Sequence, residues 1–224
     1  MRVAIAGGHG QVARRLTRLL AARGDDIVGI VRNPGHVEDV RRVGGAAAVL
    51  DLEHAGIDEV VAPLAGRDAV VFSAGSGSSV TAARRKKVDK DAVALVLDAA
   101  ERGGVRRFLH VSSINVGCAE SPGIGEGYAD YLRAKHAAEQ DVFAREGLAW
   151  TVLRPGVLTD DQGSGTVDLV AGGRIAPESP RFDTVSRDDV AAVLLALLDR
   201  PDTAGRIYVV VGGTIPIGRA IDIA

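Results

Sequence analysis

A tyrosine and a lysine stand four residues apart, at Tyr131 and Lys135, in a segment whose pattern predicts a helix over Tyr128–Arg145. This spacing places the phenol and the ammonium on one face of the helix, about one turn apart. A neighbouring cation favours phenolate and lowers the pKa of a tyrosine, so the pair predicts a group that exchanges protons near neutral pH. The alternative is an exposed pair without a catalytic role.

Two serines, Ser112 and Ser113, follow a predicted strand over Arg107–Val111. A hydroxyl at the carboxyl end of such a strand could hold the oxygen of a substrate carbonyl that receives the proton. The alternative is that one serine only caps the following segment. The serines and the tyrosine–lysine pair therefore predict one reacting site at this edge of the sheet.

A glycine turn, Gly7-x-x-Gly10-x-x-Ala13, joins a predicted strand over Val3–Ala6 to a predicted helix over Gln11–Ala22. Glycine allows the sharp exit from the strand and a close approach of a ligand to the backbone. Because the free N–H groups of the helix point at this turn, it predicts a diphosphate site. Taken alone the pattern is weak, since tight strand-to-helix turns also need glycine for steric reasons.

Further polar and small residues follow the next predicted strands. Arg32 and Asn33 end the second strand, where an arginine accommodates the 2′-phosphate of NADP(H). After the third strand, Asp51 and Leu52 stand where a carboxylate could accept the adenine amino hydrogen. The small residues at 73–75 let backbone approach a ribose. The alternatives are a solvated arginine and a capping aspartate.

The elements that position these residues alternate along the chain, which predicts an α/β fold with a doubly wound parallel sheet. Residues 1–224 are expected to form a single domain, with 157–185 and 212–224 as a small substrate-side lobe. A loop is expected over Thr159–Pro180. The other predicted strands are Ile27–Val31, Ala46–Leu50, Ala69–Phe72, Trp150–Leu153 and Ile207–Val211, and the other predicted helices are Val80–Arg102 and Val190–Leu198.

Composition limits the classes of partner. Twenty-seven basic and 29 acidic residues leave a net charge of −2, so we expect neither nucleic acid nor an anionic membrane as a partner. The single cysteine, Cys118, allows no intramolecular disulfide, and no spacing of residues predicts a metal site. We expect a cytoplasmic monomer or homodimer that acts on a small-molecule substrate.

The motifs together resemble those of atypical short-chain dehydrogenases/reductases, in the NAD(P)H-binding branch labelled epimerase-like or flavin-reductase-like. The likeness extends to segments 153–156 and 186–190 and implies a Rossmann-like fold. It implies Tyr131 as general acid/base, Lys135 as the group that lowers its pKa and binds the nicotinamide ribose, and Ser113, or else Ser112, as the residue that polarises the substrate oxygen. Pro155, Gly156 and Val157 would pack near the nicotinamide.

The expected catalytic residues are Ser113, Tyr131 and Lys135. The expected cofactor-binding residues are Gly7, His9, Gly10, Gln11, Val12, Arg32, Asn33, Asp51, Leu52, Ser73, Ala74, Gly75, Ser112, Lys135, Pro155, Gly156 and Val157.

The reaction expected from the resemblance is hydride transfer to a small carbonyl or related electrophile, with NADP(H) preferred and NAD(H) possible. One alternative is a non-catalytic NADPH-binding sensor that acts through a partner protein. Another is a sugar-nucleotide epimerase or dehydratase. The short C-terminal region and Arg32 both argue against the epimerase.

Overall fold

Strands and helices alternate along the chain in the computed structural model, which describes residues 1–75, 86–172 and 180–224, without the side chains of residues 86 and 87. The strands are β1 Arg2–Ala6, β2 Asp26–Val31, β3 Ala46–Val49, β4 Ala69–Phe72, β5 Arg107–Val111, β6 Ala149–Pro155, β7 Val157–Thr159, β8 Thr166–Gly172, β9 Thr184–Ser186, β10 Arg206–Gly212 and β11 Ile215–Pro216. The helices are α1 Gln11–Ala22, α2 Val37–Arg42, α3 Ile57–Leu64, α4 Ala92–Arg102, α5 Glu126–Phe143, α6 Arg187–Leu198 and α7 Ile217–Ile223.

Nine strands form one sheet in the order β11-β8-β10-β6-β5-β4-β1-β2-β3. The run from β10 to β3 is parallel, whereas β8 pairs antiparallel with β10 and β11 antiparallel with β8. The predicted doubly wound, Rossmann-like α/β fold is confirmed.

Helices cover both faces of this sheet. Side chains of β1 alternate between the two faces. Val3 and Ile5 belong to one buried cluster, and Ala4 and Ala6 belong to the other. The first cluster includes side chains of α1, α6 and α7, and the second includes side chains of α3, α4 and α5. Strands buried on both faces need nearly continuous apolar sequence, which is why the parallel strands could be recognised.

The prediction of a loop over Thr159–Pro180 is wrong for Thr166–Gly172, which is a strand of the main sheet. Its side chains alternate, since Val167 and Leu169 are buried and Val170 is exposed, as expected for an antiparallel strand with one face exposed to solvent. The tail after residue 212 also has regular structure, in β11 and α7. Residues 173–179 of the predicted loop lie outside the described residues.

The segment proposed as a substrate-side lobe includes a second, small sheet. Val157–Thr159 pairs in parallel with Thr184–Ser186, apart from the nine-stranded sheet. The lobe itself stays a prediction.

The helix predicted over Val80–Arg102 begins, in its described part, with a π-helical turn at Lys86–Asp91 and continues as α4. Residues 80–85 lie outside the described part of the chain.

The direction of the sheet order reverses between β1 and β4, which are neighbours. In open parallel sheets a crevice forms at such a switch point, outside the carboxyl ends of the strands. The glycine turn follows β1 and Ser73 follows β4. The fold therefore brings these two segments to the place where a ligand is expected.

Candidate functional site

The glycine turn forms the floor of a cleft at the switch point. Gly7 has a φ of 81°, and a Cβ atom there would lie 2.6 Å from the Cα atom of Ala74. Gly10 precedes α1 and provides no side chain to cap it. The first N–H groups of this helix are therefore available to an anion, and no acidic residue lies in its first turn. This arrangement fits the diphosphate of a dinucleotide.

Replacing Gly7 by alanine is expected to lower the free energy of unfolding by about 2–4 kcal/mol, because the left-handed backbone and the contact with Ala74 both oppose a Cβ. Gly24→Ala is the matched control: Gly24 has a φ of 87°, but nothing lies within 4 Å of its ideal Cβ. The free energy of unfolding of this control should fall by only about 1–2 kcal/mol. Urea denaturation of the cofactor-free proteins measures both, and equal losses would contradict the close packing at Gly7.

The smaller of two clefts, about 360 Å³, lies on the β2–β3 side of this turn. Among the residues lining it are ten of the predicted cofactor-binding residues: Gly7, His9, Gly10, Arg32, Asn33, Asp51, Leu52, Ser73, Ala74 and Gly75. Ile30, Val31, Leu50, Val88 and Ala92 add apolar walls. Such a mixture of apolar walls and a few polar groups is typical of a nucleotide pocket.

Three polar side chains in this cleft already have partners. Arg32 forms an ion pair with Glu53, and its side chain is about half exposed. Asn33 caps the turn at Pro34–His36, since its Oδ1 accepts a hydrogen bond from the N–H of Gly35 at 2.9 Å. The sequence pattern did not reveal Glu53, which lies 21 residues from Arg32.

The third of these side chains is Asp51. Partial burial opposes ionisation of this carboxyl, but hydrogen bonds from His54 and from the Glu53 amide outweigh it, so the pKa of Asp51 is lowered. A carboxylate is therefore present at this end of the cleft.

The larger cleft, about 640 Å³, shares Gly10, Ser73, Ala74 and Gly75 with the smaller one. The predicted site residues that line only the larger cleft are Gln11, Val12, Ser112, Tyr131, Lys135 and Pro155. The two clefts are thus parts of one groove that runs from Arg32 past the glycine turn to Tyr131. A dinucleotide is an extended ligand of this kind.

Tyr131 and Lys135 lie on α5 as predicted, and both line the larger cleft. Lys135 is 3% exposed, and its Nζ lies 5.9 Å from the centre of the Tyr131 ring. The ammonium donates a hydrogen bond to the carbonyl oxygen of Val111 at 3.0 Å and lies 3.8 Å from a carboxylate oxygen of Asp89. Burial lowers the pKa of Lys135, although Asp89 and Glu139 oppose this effect.

The net shift of the Tyr131 pKa is opposite to the lowering expected beside Lys135. Burial of the phenol, followed by the charge of Asp89 and by Tyr128, raises the pKa of Tyr131 above its usual range. No motif pointed to Asp89, whose fully buried carboxylate lies on the π-helical turn. Tyr131 is therefore a protonated phenol at neutral pH, which is the form that can donate a proton.

The two serines differ in position. Ser112 lines the larger cleft, and its buried Oγ has no hydrogen-bond partner among the described residues. Ser113 lines neither cleft, and its Oγ accepts a hydrogen bond of 3.4 Å from the amide of Asn115. The preference for Ser113 is corrected: Ser112 is the serine that faces the cleft beside Tyr131.

The segment 155–157 divides in a similar way. Pro155 lines the larger cleft, whereas Gly156 and Val157 line neither cleft. Gly156 is buried against the next segment, where a Cβ would lie 2.3 Å from the carbonyl oxygen of Asp183, and Val157 pairs with Thr184. The two residues hold the 183–184 backbone in place and do not themselves line the groove.

The larger cleft is also lined by residues that were not among the predicted site residues, namely Gly127, Tyr128, Leu158 and Arg187. The ring of Tyr128 stacks on that of Tyr131, with centroids 5.8 Å apart. Buried Asn115 joins this wall to the next segment, because its Nδ2 donates hydrogen bonds to the Tyr128 hydroxyl at 3.4 Å and to the Arg181 carbonyl at 2.7 Å. These residues form a mixed aromatic and polar wall.

Among the described residues, no group of three or more His, Cys, Asp or Glu side chains could hold a metal ion. Within that same part of the chain, no helix is long and apolar enough to cross a membrane.

Comparison with known proteins identifies the family. A family model described as NAD(P)H-binding matches residues 7–201. The uncharacterized sugar epimerase YhfK of Bacillus subtilis is 32% identical over 222 residues, which are 99% of this chain and 99% of that protein. A protein of Bacillus halodurans named as an NAD-dependent epimerase/dehydratase matches with a TM-score of 0.85 and 31% identity over 100% of both chains. The oxidoreductase ylbE of Lactococcus lactis matches with a TM-score of 0.81 and 26% identity over 100% of this chain and 96% of that chain.

These matches extend over both clefts and over the parallel sheet that positions them. The resemblance inferred from the motifs is confirmed, and the chain belongs to the NAD(P)H-binding family of Rossmann-fold proteins.

Proposed function

We propose that the protein is an NADPH-dependent oxidoreductase that reduces a small carbonyl compound or a related electrophile. One observation carries the proposal: a groove that passes an uncapped helix N-terminus ends at Tyr131 beside the buried Lys135, with a serine hydroxyl that has no hydrogen-bond partner among the described residues. Hydride transfer to a carbonyl carbon needs a proton at the carbonyl oxygen, and this end of the groove provides a donor.

The bound cofactor would supply the hydride from its nicotinamide ring. Tyr131 donates its phenolic proton to the substrate oxygen, so that a carbonyl becomes an alcohol. The Ser112 hydroxyl donates a hydrogen bond to the same oxygen as negative charge develops there. Lys135 holds positive charge beside the phenol and stabilises the phenolate that remains after the proton has left.

Tyr128 and Leu158 would contact the substrate, because they line the larger cleft together with Tyr131 and do not line the smaller one. Arg187 also lines this cleft and forms an ion pair with Asp160 at 3.1 Å.

We propose NADP(H) over NAD(H) on the basis of Arg32. Its guanidinium is about half exposed at the smaller cleft, and its ion pair with Glu53 leaves further N–H groups for a 2′-phosphate. NADPH should therefore raise the melting temperature more than NADH at equal concentration.

Arg32→Gln is expected to weaken NADPH binding about 10- to 100-fold and to leave NADH binding nearly unchanged, because one charge-assisted contact is lost. Glu53→Gln should strengthen NADPH binding, since it releases Arg32 from its ion-pair partner. Thermal shift and calorimetric titration with both cofactors measure these effects. Equal responses of the parent protein to the two cofactors would rule out a 2′-phosphate role for Arg32.

The proposed reaction is tested by following NADPH oxidation with a panel of aldehydes, ketones, quinones and flavins. Turnover of at least one class supports the proposal. Tight NADPH binding without turnover of any panel member, together with a ligand-dependent change in oligomer size, would instead identify a sensor.

A sugar-nucleotide epimerase is the second candidate, favoured by the name of the Bacillus subtilis relative. An enzyme of that kind should be purified with tightly bound NAD and should interconvert sugar nucleotides without net oxidation of added cofactor. Release of the nucleotide from denatured protein and its identification by mass spectrometry distinguish the two candidates.

A further inference from the structure

An arginine lines the larger cleft and has no hydrogen-bond partner among the described residues. The side chain of Arg187 lies in this cleft with Tyr128, Tyr131 and Leu158, and it is 21% exposed. Its N–H groups donate no hydrogen bond to another described residue, and its one ion pair in that part of the chain is with Asp160, at 3.1 Å. A guanidinium has five N–H donors in a planar fork, so most of them remain for a ligand.

The backbone that carries Arg187 is held on both sides. Arg187 is the first residue of α6, and the preceding Ser186 pairs with Thr159 in the small parallel sheet. The Ser186 hydroxyl also accepts a hydrogen bond from the amide of Asp189 and caps the helix. Leu158, another residue of the cleft, precedes Thr159 in the same sheet. The guanidinium is therefore placed beside the cleft by regular structure and not by a loop.

The charged side chains of this cleft have one sign. Lys135 and Arg187 are the charged side chains among its described lining residues, and that set includes no carboxylate. Lys135 already donates a hydrogen bond to the carbonyl oxygen of Val111 and lies beside Asp89. Arg187 is therefore the cation that remains for a ligand. A cleft whose charges have one sign attracts ligands of the opposite sign.

The acidic residues near Arg187 lie outside the cleft lining and have other partners. Asp188 accepts a hydrogen bond from Arg15 at 2.6 Å, and Asp189 accepts hydrogen bonds from two backbone amides just before β8. Asp160 also accepts a hydrogen bond from Arg15, at 3.3 Å, and its side chain is 60% exposed. Because exposed ion pairs contribute little, Asp160 is a partner that the carboxylate of a ligand could replace.

We propose that Arg187 binds a carboxylate group of the substrate, so that the protein acts on carbonyl compounds that carry a carboxylate. This inference rests on the proposed reduction of a carbonyl compound at Tyr131. Arg187 and Tyr131 line the same cleft, so the substrate presents its carboxylate to the guanidinium and its carbonyl oxygen to the phenol. Asp160 occupies the guanidinium when no substrate is bound and gives way to the carboxylate of the substrate.

Calorimetric titration of the protein saturated with NADP⁺ tests the proposal without turnover. The probes are pyruvate, levulinate and para-formylbenzoate, in which the carboxylate lies progressively farther from the carbonyl, each compared with its uncharged methyl ester. At least one acid should bind about 10- to 100-fold more tightly than its ester, as expected for one charge-assisted contact. Equal binding of every acid and its ester, or binding of none of the acids, would overturn the proposal.

Arg187→Gln should weaken binding of that acid about 10- to 100-fold and should change binding of the ester by less than about twofold. Asp160→Asn should strengthen binding of the acid about two- to fivefold, because it removes the competing carboxylate. Arg181→Gln is the matched control, since Arg181 is an exposed arginine that is paired with Asp183 and lines neither cleft. The control should bind the acid as the parent does, and a loss equal to that of Arg187→Gln would contradict a specific contact.

The cofactor diphosphate is another anion near Arg187, because Gln11 at the start of α1 lines the same cleft. Unchanged NADP⁺ affinity in Arg187→Gln supports the substrate contact, whereas a loss as large as that for the acid would assign Arg187 to the diphosphate and end the proposal. NADPH oxidation with the same compounds is measured separately. If acid binding depends on Arg187 but no NADPH is oxidised, the proposed reduction fails and the carboxylate site stands. If acids and esters are reduced equally well by the parent and by Arg187→Gln, the carboxylate site fails and the reduction stands.

Discussion

Tyr131→Phe is expected to lower kcat for reduction by about 10²- to 10⁴-fold, the usual contribution of a positioned general acid. The substitution removes the proton that the substrate oxygen receives and leaves the aromatic ring in place against Tyr128. NADPH binding should change little, because the glycine turn and Arg32 line other parts of the groove. Steady-state kinetics with the best member of the substrate panel, and a separate measurement of NADPH affinity, check both expectations.

Tyr128→Phe is the matched control. Tyr128 lies on the same helix, one turn before Tyr131, and lines the same cleft, but it has no lysine four residues after it. We expect this variant to alter KM more than kcat. Equal losses of kcat in the two variants would contradict the assignment of Tyr131 as the proton donor.

The raised pKa of Tyr131 predicts the pH dependence of the reduction. Only the protonated phenol donates a proton, so kcat is retained below the pKa and falls as the pH rises through it. Because burial, Asp89 and Tyr128 keep this pKa above the ordinary value, kcat should be nearly constant between about pH 7 and pH 9. A decline that begins near neutral pH would show that another group donates the proton.

Arg154→Leu is expected to lower the free energy of unfolding by about 3–5 kcal/mol, because it leaves the carboxylate of Glu139 buried without its partner. The guanidinium of Arg154 is 2% exposed, and its Nε and Nη2 donate hydrogen bonds of 2.9 and 2.6 Å to the two carboxylate oxygens of Glu139. The pair joins β6 to α5, one helical turn beyond Lys135. Chemical denaturation without cofactor measures the loss.

The double variant Glu139→Leu/Arg154→Leu is the informative control. Replacing both partners removes the uncompensated charge, so the double variant should be more stable than Arg154→Leu alone. Arg133→Leu, an exposed arginine of the same helix with ion pairs to Glu120, Glu126 and Asp130, should cause a much smaller change. A double variant as unstable as the single one would show that packing, and not charge, makes Arg154 necessary.

The parallel strands could be predicted from the sequence because each is a short, continuous apolar run between turn signals. The strand at Thr166–Gly172 could not, because it is half exposed and surrounded by glycines that indicate a loop. The six-residue helix at Val37–Arg42 buries only Val40, and a single buried residue cannot show the helical periodicity of apolar positions.

Candidate site residues that follow strands could be placed at one edge of the sheet from the sequence, since the carboxyl ends of parallel strands meet there. The sequence could not tell which of Ser112 and Ser113 lines the cleft, because neighbouring residues after a strand point in different directions. The partners Glu53 and Asp89 were missed because their approach to Arg32 and Lys135 depends on how separate elements pack.

We propose that one groove holds NADPH and positions it for hydride transfer to a substrate that Tyr131 protonates. The most direct test uses NADPH carrying deuterium at the transferring position of the nicotinamide, with mass spectrometry of the alcohol from the best aldehyde or ketone substrate, in which the label is on carbon and does not exchange with water. We predict one deuterium per product molecule from the parent protein and a strongly reduced rate of its appearance with Tyr131→Phe. Product without deuterium, or label transferred at the parent rate by Tyr131→Phe, would contradict the account.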